Sequence, residues 1–130
     1  NMTQSETVEF INSRVGTELA EHNYVFNPYD ASDSNYIVEI KNRRANYKDP
    51  FLEVNKTLVN LKLAKQLNKH YLYVQQDETG VYVFNISKLD LNSVYKRFYN
   101  VPATTDFSNN ERVDKEFWVL NKSLASKLSI

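Results

Sequence analysis

The stretch YIVEIK at residues 36–41 decides the fold of this chain, because it reads as a buried β-strand that also carries two charged side chains. Successive side chains on a strand point to opposite faces, so Glu39 and Lys41 share one face. They lie about 7 Å apart along the strand, which is twice the rise per residue. Bulky apolar residues on both faces indicate a central strand. A carboxylate there is costly to bury unless it is paired or bound to a cation.

Asp30 lies a short distance upstream of this strand. Residues 24–29 are predicted to form a strand that pairs back through a turn at residues 31–35, and this hairpin would bring Asp30 beside Glu39 and Lys41. Two carboxylates and a lysine at a strand end are suited to a hard divalent cation and a polarised water. Asp33 is the alternative to Asp30, although a solvated position is expected at the tip of the turn.

This pattern resembles the motif of the PD-(D/E)XK nuclease superfamily. The resemblance is carried by Pro28, by Asp30 in the place of the family's aspartate, and by Glu39-x-Lys41. It covers about residues 5–86. The proline departs from the family pattern, because it stands two residues before the aspartate and not next to it. The spacing from Asp30 to Glu39 fits the tight hairpin of the small phage-type and junction-resolving members.

The resemblance implies that the protein hydrolyses phosphodiester bonds. Asp30 and Glu39 would hold Mg²⁺ or Mn²⁺, with the main-chain carbonyl of Ile40 as a further ligand. Lys41 would position the attacking water. The first hypothesis is therefore an Mg²⁺-dependent endonuclease that acts on DNA.

Many members of the superfamily also draw an acidic residue from their first helix. Glu9 is our choice for this role, because it is early in the first predicted helix and near its apolar stripe. Glu6 and Glu18 remain rivals.

Charge is unevenly divided along a chain whose net charge is zero. Residues 1–39 hold seven acidic side chains and one basic one, whereas residues 40–75 hold eight basic and two acidic. This division favours separate surfaces, one of them cationic enough to meet phosphate, although complementary charge within a soluble fold is an open alternative. The predicted contacts with DNA phosphate are Arg43, Arg44, Lys48 and Lys56. For Lys56 the alternative is a packed stem with its ammonium in water.

Hydrophobic periodicity predicts the remaining elements. They are helices at residues 5–22 and 51–69, strands at 71–76 and 81–86, a short helix at 89–99, a loop at 100–110, a strand at 116–120 and a short helical tail. The second long helix carries two apolar stripes, which predicts packing on both sides. The order α-β-β-α-β-β predicts an α/β fold with a mixed β-sheet flanked by helices. It matches the restriction-endonuclease-like core that the resemblance implies, with a C-terminal addition.

Bulk properties limit the class of protein. With 130 residues and 42% hydrophobic residues, the chain is expected to form a single domain over residues 1–130 with a real core. Asn1, which precedes Met2, is expected to be a cloning remnant. The absence of cysteine and of any long apolar run favours the cytoplasm, or the host cytoplasm if the protein is phage-encoded, and no membrane partner. DNA is the expected partner, and a homodimer is left open.

Other chemistries fit the sequence less well. Two histidines and no cysteine make a zinc site of the usual type a poor candidate, and the two isolated glycines form no phosphate-binding loop. A second hypothesis is an inactive nuclease-like domain that binds DNA or protein, and a third is a structural protein whose Glu-x-Lys is accidental. Several aromatic residues could stack on bases, although core packing is the expected use. They are Phe98, Tyr99, Phe107, Phe117 and Trp118.

Overall fold

The computed structural model describes residues 2–24, 26–45, 48–104 and 110–129. Asn1 and Phe107 lie outside these ranges. The helices are α1 (Gln4–Val15) and α2 (Val54–Gln66). The strands are β1 (Ala20–Glu21), β2 (Ala31–Ser32), β3 (Tyr36–Asn42), β4 (Phe51–Glu53), β5 (His70–Asp77), β6 (Gly80–Asn85), β7 (Lys96–Pro102), β8 (Arg112–Val119) and β9 (Ser126–Leu128). Short 3-10 turns lie at Ile86–Lys88, Leu91–Ser93 and Lys122–Leu124.

Two sheets organise the described part of the chain. The main sheet has six strands in the order β1-β2-β3-β5-β6-β9, and a smaller sheet has the order β4-β8-β7. Strand β3 is central: it pairs antiparallel with β2 and parallel with β5, and α2 lies in the connection between the parallel strands. The prediction of an α/β fold with a mixed sheet flanked by helices is confirmed.

The two helices pack on opposite faces of the main sheet. Helix α1 contributes Val8 and Ile11 to a core that contains Val38 and Ile40 of β3. Helix α2 contributes Val54 and Ala64 to the other core, which contains Ile37, Tyr71 and Tyr73. Alternate side chains of β3 therefore enter different cores, and Glu39 points to the side of α2.

Helix α1 is shorter than the sequence predicted. Its N-cap is Thr3 and not Ser5, and Thr3 and Glu6 form a reciprocal capping box. Gly16 follows in the left-handed conformation with a φ of 77°, which ends the helix there and not at residue 22. Residues 20–21, predicted to be helical, form the edge strand β1.

The hairpin before β3 is shorter than predicted. No strand lies within the described part of residues 24–29; instead β2 occupies residues 31–32, where a turn was expected, and the chain reverses at residues 33–35. Tyr24 and Phe26 are exposed and do not pack on the sheet, so the apolar pattern that predicted a strand at residues 24–29 does not reflect burial. The pairing nevertheless brings Asp30 beside β3.

Helix α2 begins three residues later than predicted, because residues 51–53 pair with β8. It buries one face through Val54, Thr57, Asn60 and Ala64. Leu58 and Val59 are more than half exposed, whereas Leu61 and Leu63 pack against the core, so neither predicted apolar stripe is buried along its whole length.

The C-terminal third differs most from the sequence prediction. The short helix expected at residues 89–99 is replaced by a 3-10 turn and β7, because residues 96–102 pair along their whole length with β8. Their aromatic and β-branched side chains suit a strand. The expected loop at residues 100–110 begins only after Pro102, and its residues 105–109 lie outside the described ranges. In place of a helical tail, β9 joins the main sheet beside β6.

Candidate active site

A cleft of about 310 Å³ opens between the central strands, the start of α2 and the smaller sheet. Its walls are lined by Glu39, Lys41, Arg43, Phe51, Leu52, Glu53, Lys56, Thr57, Tyr71, Tyr73, Val101 and Phe117. The cleft combines a buried carboxylate, several cations and aromatic rings. Of the charged residues predicted from the sequence, Glu39, Lys41, Arg43 and Lys56 meet here.

Asp30 is fixed at the edge of β3 next to this cleft. Its backbone N–H donates to the carbonyl of Val38 at 2.8 Å, and its Oδ2 accepts from the N–H of Ile40 at 2.7 Å. The chain just before it is held by Asn60 of α2, which donates from Nδ2 to the carbonyl of Pro28 at 3.0 Å. These bonds place the Asp30 carboxylate beside Glu39.

Glu39 is almost fully buried, with 4% of its surface exposed. Burial and, next, the neighbouring Asp30 carboxylate together raise its pKa to about 7, against the opposing effects of Lys56 and Lys41. Its Oε2 forms an ion pair with Nζ of Lys56. Two carboxylates close together in a low-dielectric site therefore need positive charge nearby.

Lys56 forms an ion pair that neither of the uses considered from the sequence included. Helix α2 starts at Val54, so Lys56 lies in its first turn, directly over the cleft. Its side chain is 45% exposed, and its ammonium contacts Glu39 and supplies the positive charge that a buried carboxylate requires.

Lys41 and Arg43 continue along the floor of the cleft. Lys41 is two residues beyond Glu39 on the same face of β3, and it lowers the pKa of Glu39 slightly. The backbone N–H of Arg43 donates to the carbonyl of Gln76 at 2.8 Å, which fixes the main chain of Arg43 beside β5. Arg44 and Lys48 are exposed on the following connector and do not line the cleft.

Two tyrosines of β5 form the wall beside Glu39. Tyr73 is paired with Glu39 in the parallel register. Burial raises the pKa of Tyr73 to about 12, with Arg43 opposing and Glu39 adding to the shift. Burial raises the pKa of Tyr71 as well. Both hydroxyls therefore stay neutral near pH 7 and can act only as hydrogen-bonding groups.

The structure does not bring the acids of the first helix to this pair of carboxylates. Helix α1 packs on the other face of the sheet, and Glu9 is exposed on it. Glu6 is used in the capping box. The backbone N–H of Glu18, which follows the helix, donates to Oδ2 of Asp33 at 3.2 Å. Among the described residues, no group of three His, Cys, Asp or Glu side chains could hold a metal ion.

Asp33 belongs to the turn. Its Oδ1 accepts from the N–H groups of Asn35 at 2.8 Å and Tyr36 at 2.9 Å. This arrangement is typical of an aspartate that stabilises a turn.

The oxygen donors at this edge of the sheet are the carboxylates of Asp30 and Glu39 and the main-chain carbonyl of Ile40, a set that fits a divalent cation. In a strand, the N–H and C=O of one residue point to the same edge, and the N–H of Ile40 points to Asp30. The carbonyl of Ile40 therefore points to that edge as well, while the Ile40 side chain is buried in the core on the side of α1. Hard oxygen donors of this kind suit Mg²⁺ or Mn²⁺.

Several residues of the site carried no usable sequence signal. Asn60 and the ion pair of Lys56 depend on how α2 lies over the sheet. Phe51 and Phe117 enter the cleft only because β4 pairs with β8. Of the aromatic residues considered for stacking, Trp118 is buried in the core as expected, whereas Phe98 is 64% exposed.

The raised pKa of Glu39 predicts a pH-dependent stability of the metal-free protein. The unfolded carboxyl titrates near 4.5 and the folded one near 7, so the folded state binds more protons between these values. The free energy of unfolding should therefore fall as pH rises from about 5 to 8, by roughly 3 kcal/mol from this group. Urea unfolding of wild type and Glu39→Gln across this range measures it. Parallel pH profiles for the two proteins would contradict it.

The fold defined by this sheet and its flanking helices is that of the restriction-endonuclease-like class. A solved structure with this fold is that of Archaeoglobus fulgidus Hjc, a Holliday junction resolvase from an archaeal hyperthermophile. The two share 12% sequence identity and a TM-score of 0.53, and the likeness covers 94% of each chain. No protein-family model and no curated protein matches the sequence. Within the described ranges, neither helix has the length and apolar character needed to cross a membrane.

Proposed function

We propose that this protein is a metal-dependent endonuclease of the PD-(D/E)XK type that hydrolyses phosphodiester bonds in DNA. The observation that carries the proposal is the pair formed by Asp30 and the buried Glu39 at the edge of the central strand, with Lys41 two residues further on the same face. The likeness in fold to a junction resolvase supports it. The cytoplasm, or that of a host cell, is the compartment in which such an enzyme would meet DNA.

Asp30, Glu39 and the carbonyl of Ile40 would hold the cation. When bound, Mg²⁺ or Mn²⁺ supplies a positive charge that neutralises phosphate and lowers the pKa of a bound water. Lys41 orients the attacking water and stabilises its hydroxide form. Lys56 compensates the charge of Glu39 from the opposite side of the cleft.

The DNA strand would lie along the cationic side of the cleft. Arg43 is inside the cleft, and the exposed Arg44 and Lys48 extend the positive surface away from it. Contacts of this kind are made to phosphate, are independent of sequence, and weaken steeply with salt. Cutting two strands of a four-way junction at once would use two active sites, so for that substrate we propose a homodimer, which sedimentation velocity would detect.

The direct test is cleavage of supercoiled plasmid. Wild-type protein should give nicked and then linear DNA in Mg²⁺ or Mn²⁺, and EDTA should stop the reaction. Duplex, flap, single-stranded and four-way-junction DNA would be compared at low salt. If none of them is cut in either metal, the proposal fails.

Asp30→Asn is expected to weaken Mn²⁺ binding at least about tenfold, because one of the two charged ligands becomes neutral while the hydrogen bond from Ile40 can remain. Isothermal calorimetry at pH 8 measures the affinity. Asp33→Asn is the matched control, since Asp33 serves the turn. Heat of binding unchanged in Asp30→Asn would remove Asp30 from the ligand set.

A second candidate is an inactive nuclease-like domain that binds DNA or another protein. The ion pair between Lys56 and Glu39 favours it, because a lysine there supplies within the chain the positive charge that a metal would otherwise supply. Salt-sensitive DNA binding without cleavage, and without heat on addition of Mn²⁺, would select this candidate.

A further inference from the structure

The smaller sheet presents an aromatic face to the cleft that the proposed hydrolysis does not use. Phe51 and Tyr99 are stacked, with ring centroids 4.5 Å apart and planes inclined by 26°. Phe117 meets both rings, at 6.3 Å from Phe51 and 5.8 Å from Tyr99. These three residues, Phe51, Tyr99 and Phe117, are called the aromatic wall below.

The aromatic wall lies on the outer face of its sheet and not in the core. Along β4 and β8 side chains alternate, so Leu52 and Trp118 enter the core while Phe51 and Phe117 face the cleft. Phe51 is 48% exposed. Aromatic rings left partly in water beside a charged site offer flat apolar surface to a ligand.

Cationic side chains lie close to the aromatic wall. The guanidinium of Arg97 lies 4.6 Å from the centre of the Tyr99 ring. Lys115 pairs with Glu53 at 3.6 Å, so the one acid contributed by this sheet to the cleft is already balanced. Phe51 and Phe117 line the same cleft as Glu39 and Lys41. A ligand in contact with Phe51 and Phe117 therefore lies in the same cleft as Glu39.

We propose that the aromatic wall stacks on an unpaired nucleobase adjacent to the phosphate that is cleaved, so that the preferred substrate is branched or splayed DNA and not continuous duplex. This inference rests on the proposed nuclease function. Bases inside a duplex are stacked on their neighbours and cannot offer a face to the wall. An unpaired base at a branch can, and base–aromatic stacking tolerates any sequence.

The test uses two DNAs of the same sequence around the cleavage site, a continuous duplex and a splayed arm. The splayed arm carries 2-aminopurine at its first unpaired position. Binding is measured with the full-length Glu39→Gln protein in EDTA, so that neither metal nor cleavage is needed. Stacking on the wall should quench the fluorescence of 2-aminopurine and make the splayed arm bind about tenfold or more tighter than the duplex.

Phe51→Leu keeps an apolar side chain at a half-exposed position but removes the ring. It should weaken splayed-arm binding by about 5- to 150-fold, the range for loss of one base stack, and leave duplex binding unchanged. Phe98→Leu is the matched control, because Phe98 is also exposed on β7 but points to the other face. Circular dichroism checks that both variants are folded.

The outcomes separate the two proposals. Equal affinity for both DNAs, absence of quenching, or equal effects of Phe51→Leu and Phe98→Leu would overturn the aromatic-wall inference, whether or not the wild type cuts DNA. If quenching depends on Phe51 but the wild-type protein cuts no DNA, base stacking by the aromatic wall would be supported and the proposed nuclease activity would be overturned.

Discussion

Glu39→Gln should lower the single-turnover rate of DNA cleavage by about 1000-fold or more, even with saturating Mg²⁺. Glutamine has nearly the same size and shape, but it cannot supply the negative charge that a metal ligand provides, and several kcal/mol of transition-state stabilisation depend on that charge.

Loss of activity in this variant should not come from unfolding. The folded protein already favours the neutral form of Glu39, whose pKa is raised to about 7 by burial and by Asp30. A neutral glutamine is therefore expected to match the wild type in stability below about pH 4.5, where Glu39 is protonated in both the folded and the unfolded state, and to exceed it increasingly as the pH rises to 8. Glu53→Gln is the matched control: Glu53 lines the same cleft but pairs with Lys115, and cleavage should change by less than about threefold. Cleavage by Glu39→Gln within tenfold of wild type would exclude Glu39 as a metal ligand.

Lys41→Met should reduce cleavage by about 100- to 1000-fold while leaving Mn²⁺ affinity within about threefold of wild type. Methionine keeps much of the apolar stem of the lysine but removes the ammonium, which is proposed to act on water and not on the metal. Cleavage assays at saturating metal and calorimetry on the same preparation measure the two effects separately.

General attraction of DNA to positive charge is the effect that this experiment must exclude. Lys62→Met is the control, because Lys62 is exposed on α2 and does not line the cleft. It should change DNA affinity slightly and leave the saturated rate unchanged. If Lys41→Met and Lys62→Met lower the rate equally, Lys41 has no special role.

The ion pair between Lys56 and Glu39 is expected to affect both the stability of the protein and its affinity for metal. A buried carboxylate without a partner would be expensive, so the lysine helps to hold Glu39 in place in the metal-free protein. The same ammonium competes with a cation for the charge of Glu39. Metal affinity and metal-free stability are therefore expected to change in opposite directions when Lys56 is replaced.

The central strand could be predicted from the sequence. Apolar side chains on both faces of residues 36–41 indicate that β3 is buried on two faces, and the two-residue period places Glu39 and Lys41 on the same face. The proximity of Asp30 also followed from chain connectivity, since a short hairpin can bring it nowhere else. The predicted partner strand was nevertheless misplaced, because the aromatic and β-branched residues at 24–29 favour a strand locally, whereas the pairing with β3 is made by Ala31 and Ser32.

Local propensity alone misassigned residues 89–99, where pairing of β7 with β8 outweighs a weak helical pattern. The same long-range pairing, extended to β4, carries Phe51 and Phe117 into the cleft. Lys56 reaches Glu39 only because α2 crosses above the sheet. Short-range periodicity thus determined the central strand and its charged face, whereas contacts between distant segments decided which side chains surround it, because their free energy exists only once the whole domain has folded.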